Sequence, residues 1–174
     1  MVTIPNVPVE VPGNFNTSAL FNTMGSITNY LLAPVRFKAY TTTAQSIVSS
    51  TLSTPLGLDS EIVDSDGGHS TTTNTSRYVC QTAGLYAVYG STGYVTNANG
   101  ARALQISVNG TAVVGSTVQS APTSTNSASV TCFTLVQLAV SDYVELGTWQ
   151  NSGSTLATSN AASATTMCLW RISS

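Results

Sequence analysis

The segment from Glu61 to Tyr78, EIVDSDGGHSTTTNTSRY, brings Asp64, Asp66, His69, Asn74 and Arg77 into one stretch, and it is the polar cluster with the residue types of a chemical site. Asp64-Ser65-Asp66-Gly67 has the spacing that opens a calcium loop, but the later oxygen ligands of such a loop are missing from the sequence. Asp64 and Asp66 are therefore the candidates for a cation, and the expectation is that no metal and no cofactor is bound. Asp and Asn side chains in turns accept hydrogen bonds from nearby backbone N–H groups, and Gly67-Gly68 tolerates positive φ. The segment thus reads as a turn-rich connection pinned by Asp64, Asp66, His69, Asn74 and Arg77. A buried Asp–Arg or His–Asp pair would fix it, with Arg77 donating to a carboxylate or to loop carbonyls.

Catalysis needs more than this cluster offers. His69 is the sole histidine, and no Gly-x-Ser-x-Gly elbow or other nucleophile context surrounds the abundant Ser and Thr. A glycosidase pair would have to come from Asp59, Glu61, Asp64, Asp66, Asp142 and Glu145, with Glu10 far out near the amino end. The expectation is that the chain is not an enzyme. Cys80, Cys132 and Cys168 cannot all pair within one chain and lie in the apolar runs YVC, VTCF and MCLW. They read as buried free thiols, with one disulfide between neighbouring strands as the alternative. Tyr94 and Trp149, beside Asn-rich loops, are groups of the kind that stack on sugars; the competing reading places them in sheet faces or subunit contacts.

The elements that must position these residues are bounded by composition. At 174 residues, one main domain plus a short extension is expected. Hydrophobic residues make up 42%, enough for a core, but charged residues only 7%, against roughly 25% in ordinary soluble chains. Ser, Thr, Asn, Gly and Ala take the place of charge, which suits a wet, rigid β surface. The net charge is −2, and Arg36, Lys38, Arg77, Arg102 and Arg171 are scattered, so no basic stripe exists for nucleic acid. No apolar run approaches the ~18 residues that would span a bilayer. Met1 to Gly13 has neither a basic n-region nor an apolar h-region, so no signal peptide and no membrane insertion are expected.

Pro5, Pro8 and Pro12 alternate with Val and Ile in MVTIPNVPVEVPGN, which forbids helix and leaves an extended arm. Such an arm is either laid on a neighbour or a disordered tail. Leu20, Met24, Ile27 and Leu31 then follow at spacings of 4, 3 and 4, predicting a helix from Asn16 or Thr17 as N-cap to a stop at Pro34. A helix this short must pack on something, either its own domain or sister copies. Strands are expected near Val35–Thr42, Gln45–Val48, Arg77–Cys80, Gly84–Val95, Arg102–Val108, Thr111–Gln119, Ser127–Leu138, Tyr143–Gln150 and Thr166–Ile172. In ALQISVNGTAVVG, Asn109-Gly110 supplies the two positive-φ positions of a type I′ hairpin turn. Domain 1–34 is thus arm and helix, and 35–174 is β.

A two-sheet sandwich buries one face of each sheet. Yet Phe133 and Leu135 oppose Cys132 and Val136 in one strand, Trp170 and Ile172 oppose Met167 and Leu169 in another, and Tyr143, Glu145 and Trp149 oppose Val144 and Leu146 in a third. Either these strands dive under other segments, or one sheet is covered by another subunit.

The order of Gly84-Leu85-Tyr86, Val108-Asn109-Gly110 and Leu138-Ala139-Val140-Ser141-Asp142-Tyr143-Val144 resembles the jelly roll of the tumour-necrosis-factor and complement-globular-head superfamily, over roughly Val35 to Ile172. More narrowly, DSDGGHSTTTNTSRY, the QNSG motif at Gln150–Gly153 and the helix ending in LLAPVR are similar to virion proteins of tailed phages of actinobacteria. Unlike minor tail proteins of that kind, this chain has no long tail-module region before its jelly roll. The resemblance implies an all-β, two-sheet antiparallel jelly roll of about ten strands, assembled as a homotrimer and acting by binding. Phe133, Leu135, Tyr143, Trp149 and Trp170 would then lie in the trimer interface.

The expected function is that of a virion structural protein that decorates or stabilises the capsid surface. Ile4, Val7, Val9, Val11, Phe15, Leu20, Met24, Ile27 and Leu31 would anchor it to major capsid or tail proteins of the particle. The alternative is a minor tail or tail-tip protein that binds host cell-wall glycan through loops around Tyr94, Asn126 or Asn151. A glycan-cleaving enzyme built on Asp64, Asp66 or His69 is the third reading.

Overall fold

The computed structural model describes residues 17–32, 34–122 and 128–173. Ile4, Val7, Val9, Val11, Phe15 and Asn126, as well as the side chain of Leu31, lie outside the described part.

Helix α1 spans Ser18–Leu32. Thr17 is its N-cap: the hydroxyl oxygen accepts the Leu20 N–H at 3.3 Å and the carbonyl accepts the Phe21 N–H at 3.2 Å. Within the helix the hydroxyls of Thr23, Ser26 and Thr28 donate to the carbonyls of Ala19, Asn22 and Met24, each at 2.9 Å. These hydroxyls are satisfied by their own helix, a back-bonding that itself slightly weakens a helix.

The strands are β1 (Arg36–Tyr40), β2 (Ser46–Ile47), β3 (Ser50–Pro55), β4 (Ser60–Asp64), β5 (Arg77–Val79), β6 (Gly84–Gly93), β7 (Arg102–Val108), β8 (Thr111–Ala112), β9 (Val118–Ser120), β10 (Ser129–Leu138), β11 (Tyr143–Gln150), β12 (Leu156–Ala157) and β13 (Thr166–Ser173). One sheet has the order β10-β6-β13-β1-β4. The other has the order β5-β11-β7-β8, with β9 also paired to β7. Strands β2 and β12 form a small pair of their own, and β3 runs beside β11, where the Leu56 N–H donates to the Leu146 carbonyl at 2.9 Å. The two main sheets therefore hold ten antiparallel strands in a sandwich, the jelly-roll architecture.

The core forms where the inward faces meet: Phe37, Tyr86, Val88, Val130, Cys132, Val136, Met167 and Leu169 from one sheet face Tyr78, Leu104, Ile106, Val144 and Leu146 from the other. Gly90 sits on the inward face of β6, and a side chain there would collide with Leu146, so the glycine sets how closely the sheets approach. The β7–β8 hairpin turns through Asn109 (φ 51) and Gly110 (φ 78), with Val108 paired to Thr111.

The strand expected over Thr111–Gln119 is two short strands instead. Gly115 (φ 79) breaks it, and Ser116 turns inward to donate to the Ile106 carbonyl at 2.9 Å. Strands β3, β4 and β12 were not expected from the sequence. All three cysteines are free, Cys80 and Cys132 buried and Cys168 half-buried. Burial pushes the Cys132 thiol up to about 12 and raises those of Cys80 and Cys168, which makes them poor nucleophiles.

Candidate functional site

Strand alternation on the β10-β6-β13-β1-β4 sheet turns one set of apolar groups away from the core. Phe133 and Leu135 are 55% and 50% exposed, while Cys132 and Val136 in the same strand are buried. Trp170 and Ile172 are likewise 42% and 47% exposed, opposite buried Met167 and Leu169. The register places Leu135, Ala87, Trp170 and Arg36 in one row across the sheet, with Phe133, Tyr89, Cys168 and Lys38 in the next. Apolar groups thus run from the β10 edge to β13 in the middle of this face, and the two cations follow on β1, next to the opposite edge strand β4.

Tyr143 and Trp149 do not join that face. Both belong to β11 in the other sheet, turned outward opposite Val144 and Leu146. Phe133, Leu135 and Trp170 are brought together, and Tyr143 and Trp149 lie apart from them. Alternation reports which side of a strand a residue takes and carries no information about which sheet the strand joins.

The Asp-rich loop is held from several directions. Asp64 accepts the Gly68 N–H at 3.2 Å and the His69 N–H at 2.9 Å through its two oxygens. Asp66 accepts the Tyr78 hydroxyl at 3.0 Å. Burial raises the Asp66 carboxyl above its ordinary range, against the opposing effect of that hydroxyl, and the Asp64 charge adds to the rise. His69 Nδ1 lies 2.7 Å from Glu61 Oε1 and Nε2 lies 3.0 Å from the Thr75 carbonyl. Its side chain has no exposed surface and packs 5.2 Å from the Phe37 ring, so neither nitrogen is presented to a substrate. Asn74 takes φ 50, and its carbonyl accepts the Arg77 N–H at 3.0 Å. Arg77 Nε donates to Glu145 at 3.0 Å while its guanidinium stands 4.1 Å over the Tyr143 ring.

The His–Asp and Asp–Arg pairs expected from the sequence are therefore His69–Glu61 and Arg77–Glu145. The sequence names Glu61 as a possible catalytic acid, and Glu145 both as such and as a residue on the second face of its strand, and pairs neither with the loop. Their signal was composition: few carboxylates serve the lone histidine and the arginine nearest it. Among the described residues no group of three or more His, Cys, Asp or Glu could hold a metal ion.

Of the two readings of Tyr94, the sheet-face one holds: the residue is fully buried, with its hydroxyl 2.6 Å from the Thr148 hydroxyl, and offers no ring face to a sugar. Trp149 is half-buried. Arg102, not singled out beforehand, is the largest fully buried side chain. Its Nη1 donates to the carbonyls of Asn99 (2.9 Å) and Ala101 (3.1 Å), and Nη2 to that of Asn97 (3.1 Å). Among the described residues no carboxylate accompanies it; burial lowers its pKa, and Tyr94 partly opposes the shift. The signal was available, because Arg102, Leu104 and Ile106 alternate on one face of β7 and that face is the core.

On α1, Phe21 is 60% and Met24 48% exposed, with Leu20 and Ile27 partly covered. Its fifteen residues include no charge.

No protein-family model matches the sequence, and no curated protein matches it. Solved structures do. The globular domain of a zebrafish complement 1qA protein is 12% identical with a TM-score of 0.57, over 79% of this chain and 97% of that one. Murine APRIL, in crystals at pH 5.0 and pH 8.0, is 10% and 9% identical with a TM-score of 0.58 in both cases, over 80% of this chain and 100% of that one. At such identities the likeness is one of fold, and it shows that this chain carries the jelly roll of the globular domains typified by complement 1q and tumour necrosis factor.

Proposed function

We propose that this chain is a non-enzymatic structural protein of a tailed-phage particle, displayed on the virion surface as a homotrimer. The observation that carries the trimer is the outer face of the β10-β6-β13-β1-β4 sheet, where Phe133, Leu135, Trp170 and Ile172 remain about half exposed after the monomer has filled its own core. Contiguous apolar surface of this kind marks an interface in a soluble protein. The jelly-roll likeness supports a threefold arrangement with this face turned to sister subunits.

The phage reading rests on the resemblance of the DSDGGHSTTTNTSRY, QNSG and LLAPVR motifs to virion proteins. The uncharged, apolar-striped α1 supports attachment: Leu20, Met24, Ile27 and Leu31, together with Ile4, Val7, Val9, Val11 and Phe15 of the arm, engage a major capsid or tail protein. An extended arm of this length reaches ~40 Å, enough to bridge to a neighbouring capsid subunit. Deletion of residues 2–15 should abolish incorporation into particles while the truncated protein still trimerises; incorporation at the normal copy number would contradict the anchoring role. Hundreds of copies per particle are expected for head decoration, whereas a handful would favour the tail-tip reading.

A further inference from the structure

The pinned loop between β4 and β5 borders a cleft of about 330 Å³, whose walls include Ser70, Thr73, Asn74, Arg77, Gln81 and Tyr143. That volume falls at the small end of the ~300–1,000 Å³ typical of small-molecule sites. Its frame is rigid, since Asp64 holds two backbone N–H groups of the loop, His69 ties it to Glu61 and Thr75, and Gly68 lies against Tyr78 with no room for a side chain. Hydrogen-bonding capacity is left over on the cleft wall. Arg77 uses Nε for Glu145, and among the described residues its Nη1 and Nη2 have no partner, nor do the Thr73 hydroxyl and the Asn74 carboxamide.

The charge around the cleft selects among ligands. Arg77 is already paired with Glu145 at 3.0 Å, and Glu61, Asp64 and Asp66 all belong to the same loop structure. An anionic ligand would gain little from a guanidinium so neutralised. A neutral ligand rich in acceptor oxygens fits better, because the two terminal nitrogens of a guanidinium match a pair of adjacent oxygens.

We propose that this cleft binds one neutral sugar residue of a glycan, with adjacent hydroxyl oxygens accepting from Arg77 Nη1 and Nη2 and with Thr73 and Asn74 bonding further hydroxyls. Tyr143 braces the guanidinium from behind and is not itself the stacking platform, since Arg77 covers its ring face. The site belongs to each single subunit, so it stands whether or not the chain trimerises. A trimer would add avidity across three such clefts.

Saturation-transfer NMR on the full chain tests this with methyl glycosides of glucose, galactose, mannose, rhamnose and N-acetylglucosamine, and with glucuronate as the acidic arm. At least one neutral glycoside should bind in the millimolar range, and its affinity should fall tenfold or more in Asn74→Gly and in Thr73→Val. Neither variant removes a pinning contact, and glycine accepts the φ of 50 at position 74; unchanged circular dichroism confirms the fold of both. No signal from any neutral glycoside, binding that survives both substitutions, or binding of glucuronate alone would each overturn the proposal.

Discussion

The rings of Phe133 and Trp170 stand 6.5 Å apart although a whole strand, β6, separates the two strands that carry them. Ala87 on that middle strand is paired with both Leu135 and Trp170, and it is buried even though alternation turns it to the outer face. A small residue in the middle of the sheet thus lets two large rings lean over it. The result is a pre-formed apolar surface that a partner can cover without first ordering its side chains, which lowers the entropic cost of association.

Trp170→Lys and Phe133→Asp should therefore break the proposed trimer and leave the monomer folded, because neither side chain enters the core. Aromatic anchors at an interface are commonly worth ~2 kcal/mol or more each. The association midpoint in sedimentation velocity should rise by well over tenfold per substitution, with circular dichroism unchanged. Undisturbed association in both variants would place the interface elsewhere.

Arg102 organises the turn before β7 by donating to three carbonyls at once. Arg102→Met leaves those acceptors facing an apolar side chain and should destabilise the protein by ~2–4 kcal/mol. Arg102→Lys should not rescue it, because one ammonium cannot reproduce the spread of the guanidinium fork. Urea denaturation measures both, and a Met variant within ~0.5 kcal/mol of the parent would contradict this role.

Asp66 and Asp142 should respond to pH with opposite signs. Burial raises the folded-state pKa of Asp66, so the folded state holds this proton more firmly than the unfolded one, whose pKa is about 3.9. The contribution of Asp66 to stability therefore falls as pH rises from about 3.9 through the folded value. Asp66→Asn should be more stable than the parent at pH 7, and the difference should fade in acid.

The side chain of Asn109 and the Ala139 N–H lower the pKa of Asp142, and its stabilisation is present above about 3.9 and lost as pH falls through the depressed folded value. Asp142→Asn should accordingly be less stable at pH 7 and converge with the parent in acid. Thermal melts across pH 2–8 read both variants, and shifts of the same sign would contradict the account.

What could be read from the sequence was set by how regular the side-chain pattern is. Asn109-Gly110 announces a hairpin because few other residue pairs accept two successive positive φ values, and the alternation of Cys132, Phe133, Leu135 and Val136 announces a strand with two apolar faces. Strands β4 and β12 could not be read, because SEIVD and LA are short and lack clean alternation. The break inside Thr111–Gln119 is made by Gly115 at positive φ, which the sequence does display, and by Ser116 finding the carbonyl of Ile106 on the paired strand, which it does not. For the pinned loop, the sequence showed which residues were involved and left their partners open. Glu61 reaches His69 from eight residues away within the neighbouring strand, and Glu145 reaches Arg77 from the directly paired strand β11, distant only in sequence.

The central claim is that the outer face of the β10-β6-β13-β1-β4 sheet is covered by two sister subunits. Sedimentation equilibrium of the intact chain at micromolar concentration addresses it most directly. A mass three times the 18.0 kDa of one chain is the result expected, and a folded species of 18.0 kDa at every concentration would contradict it.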